Sequence, residues 1–175
     1  MTRIVVANSR LEAAKKIALV LRSAGLAIAG VCTSGARAAE YTRGGDCIVV
    51  SGGYLTDLPA IRLPQLCERG TDFLFLLRGE ELPAFENSEY LRLRLPLVKA
   101  DLVASVNLLA CFREPPGRGA PLSAEDERLL LERAKGLLME RHGFTEKQAH
   151  RFLQKKSMET RRKLPESARL TLSVS

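Results

Sequence analysis

Short apolar runs alternate with amphipathic segments along the first two thirds of the chain. Five runs are rich in β-branched or large apolar side chains and predict buried strands at residues 4–7, 27–32, 46–51, 73–77 and 90–94. Helical periodicity between them predicts helices at residues 11–24, 34–43, 58–69 and 98–112. Strands and helices that alternate at this spacing predict an α/β doubly wound five-stranded parallel sheet.

Two glycine and proline signals refine this pattern. Gly25 is placed to end the first helix, as a helix C-cap residue does. Pro64 lies inside the third predicted helix, where a proline removes a backbone hydrogen bond and clashes with the preceding turn. We therefore expect that helix to be kinked or split.

A proline- and glycine-rich stretch follows the last predicted helix of this region. Residues 113–121 read R-E-P-P-G-R-G-A-P, which prohibits a regular helix. This composition predicts a linker over residues 113–122, between a domain at residues 1–112 and a second domain at residues 123–175. The same stretch argues against dimerisation through one long continuous helix.

The remaining residues predict three short helices. Ser123 followed by Asp126 predicts the start of the first helix, and Gly143 its end. Thr145 and Gln148 have the spacing of a capping box that opens the second helix. A third helix is predicted from about Pro165 to Leu172, so this domain is small and all-α.

Positive charge is concentrated in the tail. The chain carries a net charge of +7, and residues 141–163 alone hold 8 basic against 2 acidic side chains. On an ideal helix, five residues of the second tail helix fall within an arc of about 80°; they are Lys147, Arg151, Lys155, Met158 and Arg162. Solvated helix faces usually mix both signs of charge, so this acid-free stripe favours a nucleic acid over an ordinary surface.

Other chemistry is weakly supported. The four cysteines, Cys32, Cys47, Cys67 and Cys111, form no C-x-x-C pair and predict buried thiols rather than a metal site or disulfides. No catalytic arrangement of Ser/His/Asp, Cys/His or paired carboxylates can be assembled, so we expect neither an enzyme nor a cofactor. The absence of a signal peptide and of a membrane-length apolar run predicts a cytoplasmic protein.

The tail resembles the ANTAR module of bacterial transcription antitermination regulators. The resemblance covers residues 124–172 and rests on residues whose identity and spacing both agree: Ala134, Lys135, Gly136, Leu138, Met139, Glu146, Ala149, Leu153, Met158, Leu164 and Ala168. His150, Pro165 and Ser167 depart from the pattern of that family.

This resemblance implies binding to paired RNA hairpins in leader transcripts and prevention of terminator formation. The predicted phosphate contacts are Lys135, Lys147, Arg151, Lys155, Arg161 and Arg162. Met158 and His150 are predicted base contacts, because unpaired loops are where RNA sequence is read. The resemblance also implies a homodimer, at least in the active state.

The first 112 residues resemble the receiver domain of bacterial response regulators. The segments RIVVANSR, DCIVVSGGYL, FLFLLRG and LRLRLPL correspond to the strands that carry the site in receivers. Asn8 and Ser9 stand at the positions of the two acidic metal ligands, and Ser51 stands at that of the phosphoaccepting aspartate. Leu77 takes the place of the hydroxyl residue, and Leu95 that of the lysine. Aspartyl phosphorylation needs a carboxylate nucleophile and a cation, so these residues predict a pseudo-receiver with no metal. A shifted alignment that uses Asp46 or Asp57 is the alternative.

The sequence leaves three functions open. The first is an RNA-binding antiterminator controlled by a non-phosphorylatable receiver, for which a regulatory partner protein is a further expectation. The second is a DNA-binding transcription factor that uses the basic helix for recognition. The third is a protein-interaction adaptor whose tail docks on an acidic partner without nucleic acid.

Overall fold

A computed structural model describes residues 2–115 and 121–174. The predicted linker therefore lies partly outside the described residues, at positions 116–120. The described chain divides into two compact units, Met1–Val106 and Asn107–Ser175. The sequence predicts a first domain at residues 1–112 and a second domain at residues 123–175.

The first unit is a three-layer α/β structure. Its strands and helices follow one another as β1 (Arg3–Ala7), α1 (Leu11–Ser23), β2 (Ile28–Cys32), α2 (Gly35–Tyr41), β3 (Cys47–Gly52), α3 (Leu63–Leu66), β4 (Asp72–Leu77), β5 (Leu91–Arg94) and α4 (Lys99–Arg113), the last of which continues into the second unit. Two 3-10 helices, Ala60–Arg62 and Gly79–Phe85, complete this part of the chain.

The five strands form one parallel sheet in the order β2-β1-β3-β4-β5. This confirms the predicted doubly wound sheet. The central strands are apolar on both faces: Val49 and Ile48 of β3 are adjacent in sequence, point to opposite faces and are both fully buried. A cluster of Phe73, Phe75, Phe85 and Tyr90 fills one face, with ring centroids 4.6–5.8 Å apart.

The third predicted helix is split, as Pro64 indicated. A 3-10 turn at Ala60–Arg62 leads into the single helical turn of α3, in which Pro64 occupies a first-turn position. Between β4 and β5 the chain forms only the 3-10 helix Gly79–Phe85.

The second unit contains the end of α4 and three helices, α5 (Ala124–His142), α6 (Glu146–Thr160) and α7 (Leu164–Ser173). The predicted caps are confirmed: the Ser123 hydroxyl accepts a hydrogen bond from the Asp126 amide, and Gly143 ends α5 at φ 64°. The core between the three helices is small and includes Ala134, Leu138, Phe152 and Ala168.

A buried polar contact joins α6 to α7. The hydroxyls of Ser157 and Ser167 lie 2.8 Å apart, and Ser167 is fully buried. No helix within the described residues has the length and apolarity required to cross a lipid bilayer.

Candidate nucleic-acid interface

The interface is built on α6, and local sequence fixes where that helix starts. The Thr145 hydroxyl accepts a hydrogen bond from the Gln148 amide at 3.2 Å, and the Gln148 side chain accepts one from the Thr145 amide at 3.0 Å. This reciprocal capping box satisfies two donors that would otherwise lack partners at the helix start. Because it fixes where the helix begins, it also fixes the side of α6 on which each later residue lies.

Burial then separates α6 into two faces. Ala149, Phe152 and Leu153 pack inward and are at most 3% exposed. Lys147, Arg151 and Lys155, which we call the basic face, are exposed at successive four-residue intervals. Met158 is 80% exposed beyond them. The structure therefore brings these four predicted residues together on one accessible surface.

Arg162 does not belong to this face. The stripe was extrapolated as if the helix continued, but α6 ends at Thr160, and Arg161 takes a left-handed conformation at φ 54°. The Arg162 guanidinium instead donates hydrogen bonds to the carbonyls of Phe112 at 2.9 Å, Glu114 at 2.5 Å and Cys111 at 3.4 Å. It caps the carboxyl end of α4, where backbone carbonyls lack helical partners.

Arg161 and Lys135 are placed differently from each other. Arg161 is exposed beside the end of α6. Lys135 projects from α5 toward the start of α6, where its ammonium lies 3.3 Å from the Glu146 carboxylate and its side chain is only 14% exposed. Lys135 is thus near the predicted site, but most of its surface is covered.

An open groove of about 580 Å³ lies where α5 meets the first two turns of α6. Its lining combines cations, a carboxylate, an imidazole and an amide: Lys135, Thr145, Glu146, Lys147, His150, Arg151 and Gln154. His150 is half-buried in this groove, close to two members of the basic face. The sequence singled out His150 without showing that it lines a concave surface.

Sequence reasoning missed Gln154 and the role of Glu146 in this groove. The signal for Gln154 was present, because it stands four residues after His150 and seven after Lys147 on one helix. Lys156 is a basic residue of the same helix that does not belong to the accessible surface. It is buried, and its ammonium lies 3.1 Å from the Glu159 carboxylate and 6.0 Å from the centre of the Phe152 ring.

The predicted degenerate receiver site gathers at the carboxyl edge of the sheet. Asn8 follows β1, Ser51 is near the end of β3, Leu77 ends β4 and Leu95 follows β5. Ser51 and Leu77 are fully buried, and the Ser51 hydroxyl donates to the Gly52 carbonyl at 2.9 Å. Ser9 is exposed, and its amide donates to the Tyr54 carbonyl.

One carboxylate at this edge was not anticipated. Glu81 lies so close to the Gly53 backbone that a Cβ on Gly53 would stand 2.5 Å from its Cδ. The same carboxylate accepts a hydrogen bond from the Arg78 amide at 2.7 Å. No three His, Cys, Asp or Glu side chains in residues 2–115 and 121–174 converge as a metal-binding cluster.

The alternative phosphoacceptors occupy other positions. Asp46 precedes β3, at the opposite end of that strand from Ser51. The Asp57 carboxylate accepts hydrogen bonds from the amides of Gly35 at 2.7 Å and Ala36 at 3.1 Å, at the start of α2. The bond from the Gly35 amide is the main cause that holds the pKa of Asp57 below its ordinary value.

The cysteines have the environment of structural thiols. Cys32 and Cys47 are buried, and all four cysteines are free. Burial raises the pKa of the Cys32 thiol to about 11 and also raises the pKa of Cys67 and Cys111. These three thiols therefore stay protonated and weakly nucleophilic at neutral pH.

Comparison with known proteins identifies the tail. Residues 123–170 match the family model of the ANTAR domain. The second unit of this chain contains an ANTAR domain. The transcriptional regulatory protein PdtaR of Mycobacterium tuberculosis (strain CDC 1551 / Oshkosh) is 34% identical over 84 residues, which cover 45% of this chain and 41% of that relative. The match thus spans about two fifths of the relative's length.

Solved response regulators share the fold that precedes the ANTAR domain. FixJ from B. japonicum aligns over 99% of this chain and 97% of its own, with a TM-score of 0.50 and 17% identity. RcsB from Salmonella enterica serovar Typhimurium, solved bound to promoter rprA, aligns over all of both chains with a TM-score of 0.53 and 12% identity. At these identities the likeness shows the fold alone, and that fold is receiver-like.

Proposed function

We propose that this protein is an RNA-binding regulator of transcription antitermination that binds hairpins in leader transcripts through the basic face of α6. The observation that carries the proposal is the exposure of Lys147, Arg151 and Lys155 at four-residue intervals on the central helix of an ANTAR domain. Three cations on one accessible face match the repeated negative charge of a nucleic-acid backbone. Such a protein acts in the cytoplasm, where nascent transcripts are found.

The experiment is a binding titration against a leader RNA with two hairpins over a series of salt concentrations. Each phosphate that a lysine or arginine neutralises releases counterions, so affinity should fall steeply as salt rises. Lys147→Ala and Arg151→Ala should each weaken binding and reduce the slope of log affinity against log salt by about 1. Equal affinity for the leader RNA and for a random RNA of the same length would contradict the proposal.

The matched control is Arg133→Ala. Arg133 is an exposed cation of the same domain, but it lies on α5 and not on α6. At 100° per residue it is about 160° around α5 from Lys135, the residue that projects toward the start of α6. It should leave both the affinity and the salt slope unchanged. If Arg133→Ala and Lys147→Ala weaken binding equally, the interaction depends on net charge and not on the basic face.

Duplex DNA is the competing ligand. The structurally similar RcsB was solved bound to a promoter, and a basic helix can serve as a DNA-recognition helix. Competition between hairpin RNA and duplex DNA for the same protein separates the two functions. We expect the RNA to displace the DNA, and the reverse order of affinity would establish the DNA-binding alternative. A protein adaptor would bind neither nucleic acid saturably.

We further propose that the receiver-like unit does not take part in phosphotransfer. The support is chemical: Asn8, Ser9 and Ser51 supply no carboxylate, Leu95 supplies no ammonium, and the Ser51 hydroxyl is buried and already bonded. Control would then come from a protein or a ligand that binds this unit. A homodimer remains our expectation for the active state, and sedimentation equilibrium with and without RNA tests it.

A further inference from the structure

An exposed row of residues runs along α5 on the side opposite its buried residues. This α5 row consists of every fourth residue from position 128 onward: Arg128, Glu132, Gly136 and Glu140. Ala134 and Leu138 are buried, and each lies about 160° around the helix from Gly136. A Cβ added to Gly136 would meet no atom from elsewhere in the described chain within 4 Å. The α5 row is thus an accessible, charged helix face with open space at its centre.

A second row with the same spacing contains the basic face of α6 and continues it by one residue. This α6 row consists of four exposed residues: Lys147, Arg151, Lys155 and Glu159. The Glu159 carboxylate lies 3.1 Å from the Lys156 ammonium, yet the Glu159 side chain is 45% exposed. Ala149 and Leu153 are buried about 160° around the helix from Arg151. Both rows therefore point away from the buried side of their own helix.

The two rows have complementary charges when they are read in opposite directions. From its first residue, the α5 row is positive, negative, neutral and negative, whereas the α6 row from its last residue is negative and then positive three times. An antiparallel alignment therefore places four pairs opposite each other: Arg128 with Glu159, Glu132 with Lys155, Gly136 with Arg151, and Glu140 with Lys147. A parallel alignment loses the pair of Arg128 with Glu159. Every charged residue thus meets the opposite charge only when the helices are antiparallel.

The spacing of the two rows also agrees. Glu132 and Glu140 are eight residues apart, as are Lys147 and Lys155, which corresponds to about 12 Å along either helix. Rows of every fourth residue are inclined to the helix axis, so two helices that cross at about −50° bring such rows alongside each other. This is the commonest crossing in globular proteins. Gly136 lies at the middle of its row, where the missing side chain allows close approach.

We propose that the α5 row of one copy of this protein binds the basic face of α6 in a second copy, so that the RNA-free protein associates with itself. The two rows lie on different helices, so the contact is head to tail and need not close into a dimer. One crossing of two helices is much smaller than a standard interface of about 1,600 Å², so the association is weak and depends on concentration.

This contact competes with nucleic acid, because it covers the three cations of the basic face. It is therefore distinct from the homodimer that we expect in the active state. RNA bound to the basic face excludes the contact, and self-association in turn lowers the fraction of protein that is available to RNA. The competition rests on the proposed function, whereas the contact between copies does not.

Sedimentation velocity of the full chain over a range of concentrations measures this association. One variant, Glu132→Lys with Glu140→Lys, reverses the charge of the α5 row. A second variant, Lys147→Glu with Lys155→Glu, reverses that of the basic face. The combination of all four substitutions exchanges the charges between the rows and keeps the net charge of the parent. Circular dichroism verifies that each variant retains its helices.

Two further variants separate the contact from net charge and from folding. Glu12→Lys with Glu68→Lys makes the same change of net charge as the α5 variant, at two exposed glutamates of the first unit. Gly136→Gln adds a side chain for which its own chain has space. Glutamine favours a helix more than glycine does, so this variant should keep its helices and still obstruct the crossing.

We expect the sedimentation coefficient of the parent to rise with concentration and this rise to diminish at high salt, which screens exposed charges. Each double reversal should weaken the association constant by about 10-fold or more, because two attractions become repulsions. The exchange of all four charges should restore association. Gly136→Gln should weaken it, and the control with Glu12→Lys and Glu68→Lys should not. Addition of hairpin RNA should dissociate the parent.

The outcomes separate this inference from the proposed function. A parent protein that stays monomeric at every concentration refutes the contact, even if it binds hairpin RNA. Failure of the fourfold exchange to restore association, with its helices retained, also refutes the contact, as does equal weakening by the net-charge control. If the parent associates and the exchange restores association but no hairpin RNA is bound, the contact stands and the proposed function fails.

Discussion

Arg161 combines an unfavourable backbone conformation with a predicted role in RNA binding. It ends α6 in the left-handed region at φ 54°, which L-residues other than glycine and asparagine rarely adopt. A glycine there would carry no Cβ and would fit that backbone better. The arginine is instead exposed just past the end of α6, and the proposed function assigns its charge to a phosphate.

We therefore predict opposite effects on stability and binding for Arg161→Gly. The free energy of unfolding should rise by about 0.5–1 kcal/mol because the left-handed conformation is relieved. RNA affinity should fall because one cation is lost. Urea unfolding and the RNA titration measure the two quantities. Arg161→Ala is the control, since it should lower affinity without the gain in stability; unchanged affinity in both variants would remove Arg161 from the interface.

The carboxylate of Asp57 makes a pH-dependent contribution that can be measured. Hydrogen bonds from the Gly35 and Ala36 amides hold its pKa below the ordinary value of 3.8. A group whose pKa is depressed in the folded state stabilises the fold above its unfolded pKa, and this stabilisation disappears as pH falls through the folded pKa.

Asp57→Asn should accordingly be less stable than the parent at pH 7, and the difference should shrink as the pH falls below about 4. Asparagine keeps one oxygen acceptor but has no titratable charge, so it is the matched replacement. Urea unfolding midpoints at pH 7 and pH 3 provide the comparison. A difference that stays constant over this range would show that the Asp57 charge does not stabilise the start of α2.

At the scale of elements, the carboxyl end of α4 depends on a side chain about 50 residues later in the chain. Arg162 donates to three carbonyls there, and the rings of Phe112 and Phe152 form a T-shaped pair with centroids 6.2 Å apart. The guanidinium has the fork of donors that such a cap requires. The end of α4 is thus held within the same compact unit as α5, α6 and α7.

Replacement of Arg162 by alanine should lower the free energy of unfolding of this unit by about 1–3 kcal/mol, as expected when charge-assisted hydrogen bonds are lost. Hydrogen exchange at the amides of α4 should rise at the same time. Lys163→Ala, at an exposed neighbouring cation, should change stability by no more than about 0.5 kcal/mol. Similar losses in the two variants would show that Arg162 has no special role in capping α4.

At the scale of the whole molecule, the chain combines a receiver-like fold with an ANTAR domain, and the sequence predicts that its receiver site is degenerate. The carboxyl edge of the sheet holds an asparagine, an exposed serine, a buried serine and two leucines at the positions where the family resemblance expects reactive groups. Glu81 lies against Gly53 at this edge, and its carboxylate already accepts the Arg78 amide.

Incubation of the full chain with acetyl phosphate and Mg²⁺ should therefore give no phosphoryl adduct by intact mass measurement, because Ser51 stands where the resemblance expects the carboxylate nucleophile of β3. RNA affinity measured before and after the incubation should be the same. A phosphoryl group mapped to residues 1–112 would overturn the pseudo-receiver assignment even if RNA binding were demonstrated.

Local patterns were sufficient to predict the sheet, the helix starts and all three residues of the basic face. Val49 and its neighbours in β3 are apolar on both sides, which predicts a buried parallel strand before any contact is known. Thr145 and Gln148 fix the start of α6, so the positions of Lys147, Arg151 and Lys155 on one side follow from 100° per residue. The extrapolation failed at Arg162, because the helix had already ended.

The amino-acid sequence by itself determined the order of strands and helices, their caps and a cationic stripe, since these depend on residues within a few positions of each other. Only the tertiary structure decided that Arg162 caps α4 and that the charge of Lys135 is offset by Glu146. It also decided that His150 and Gln154 share a groove with Lys135 and Glu146. These arrangements depend on which distant segments pack together. Burial and electrostatic pairing, rather than residue type alone, then decide which cations remain accessible to an anionic ligand.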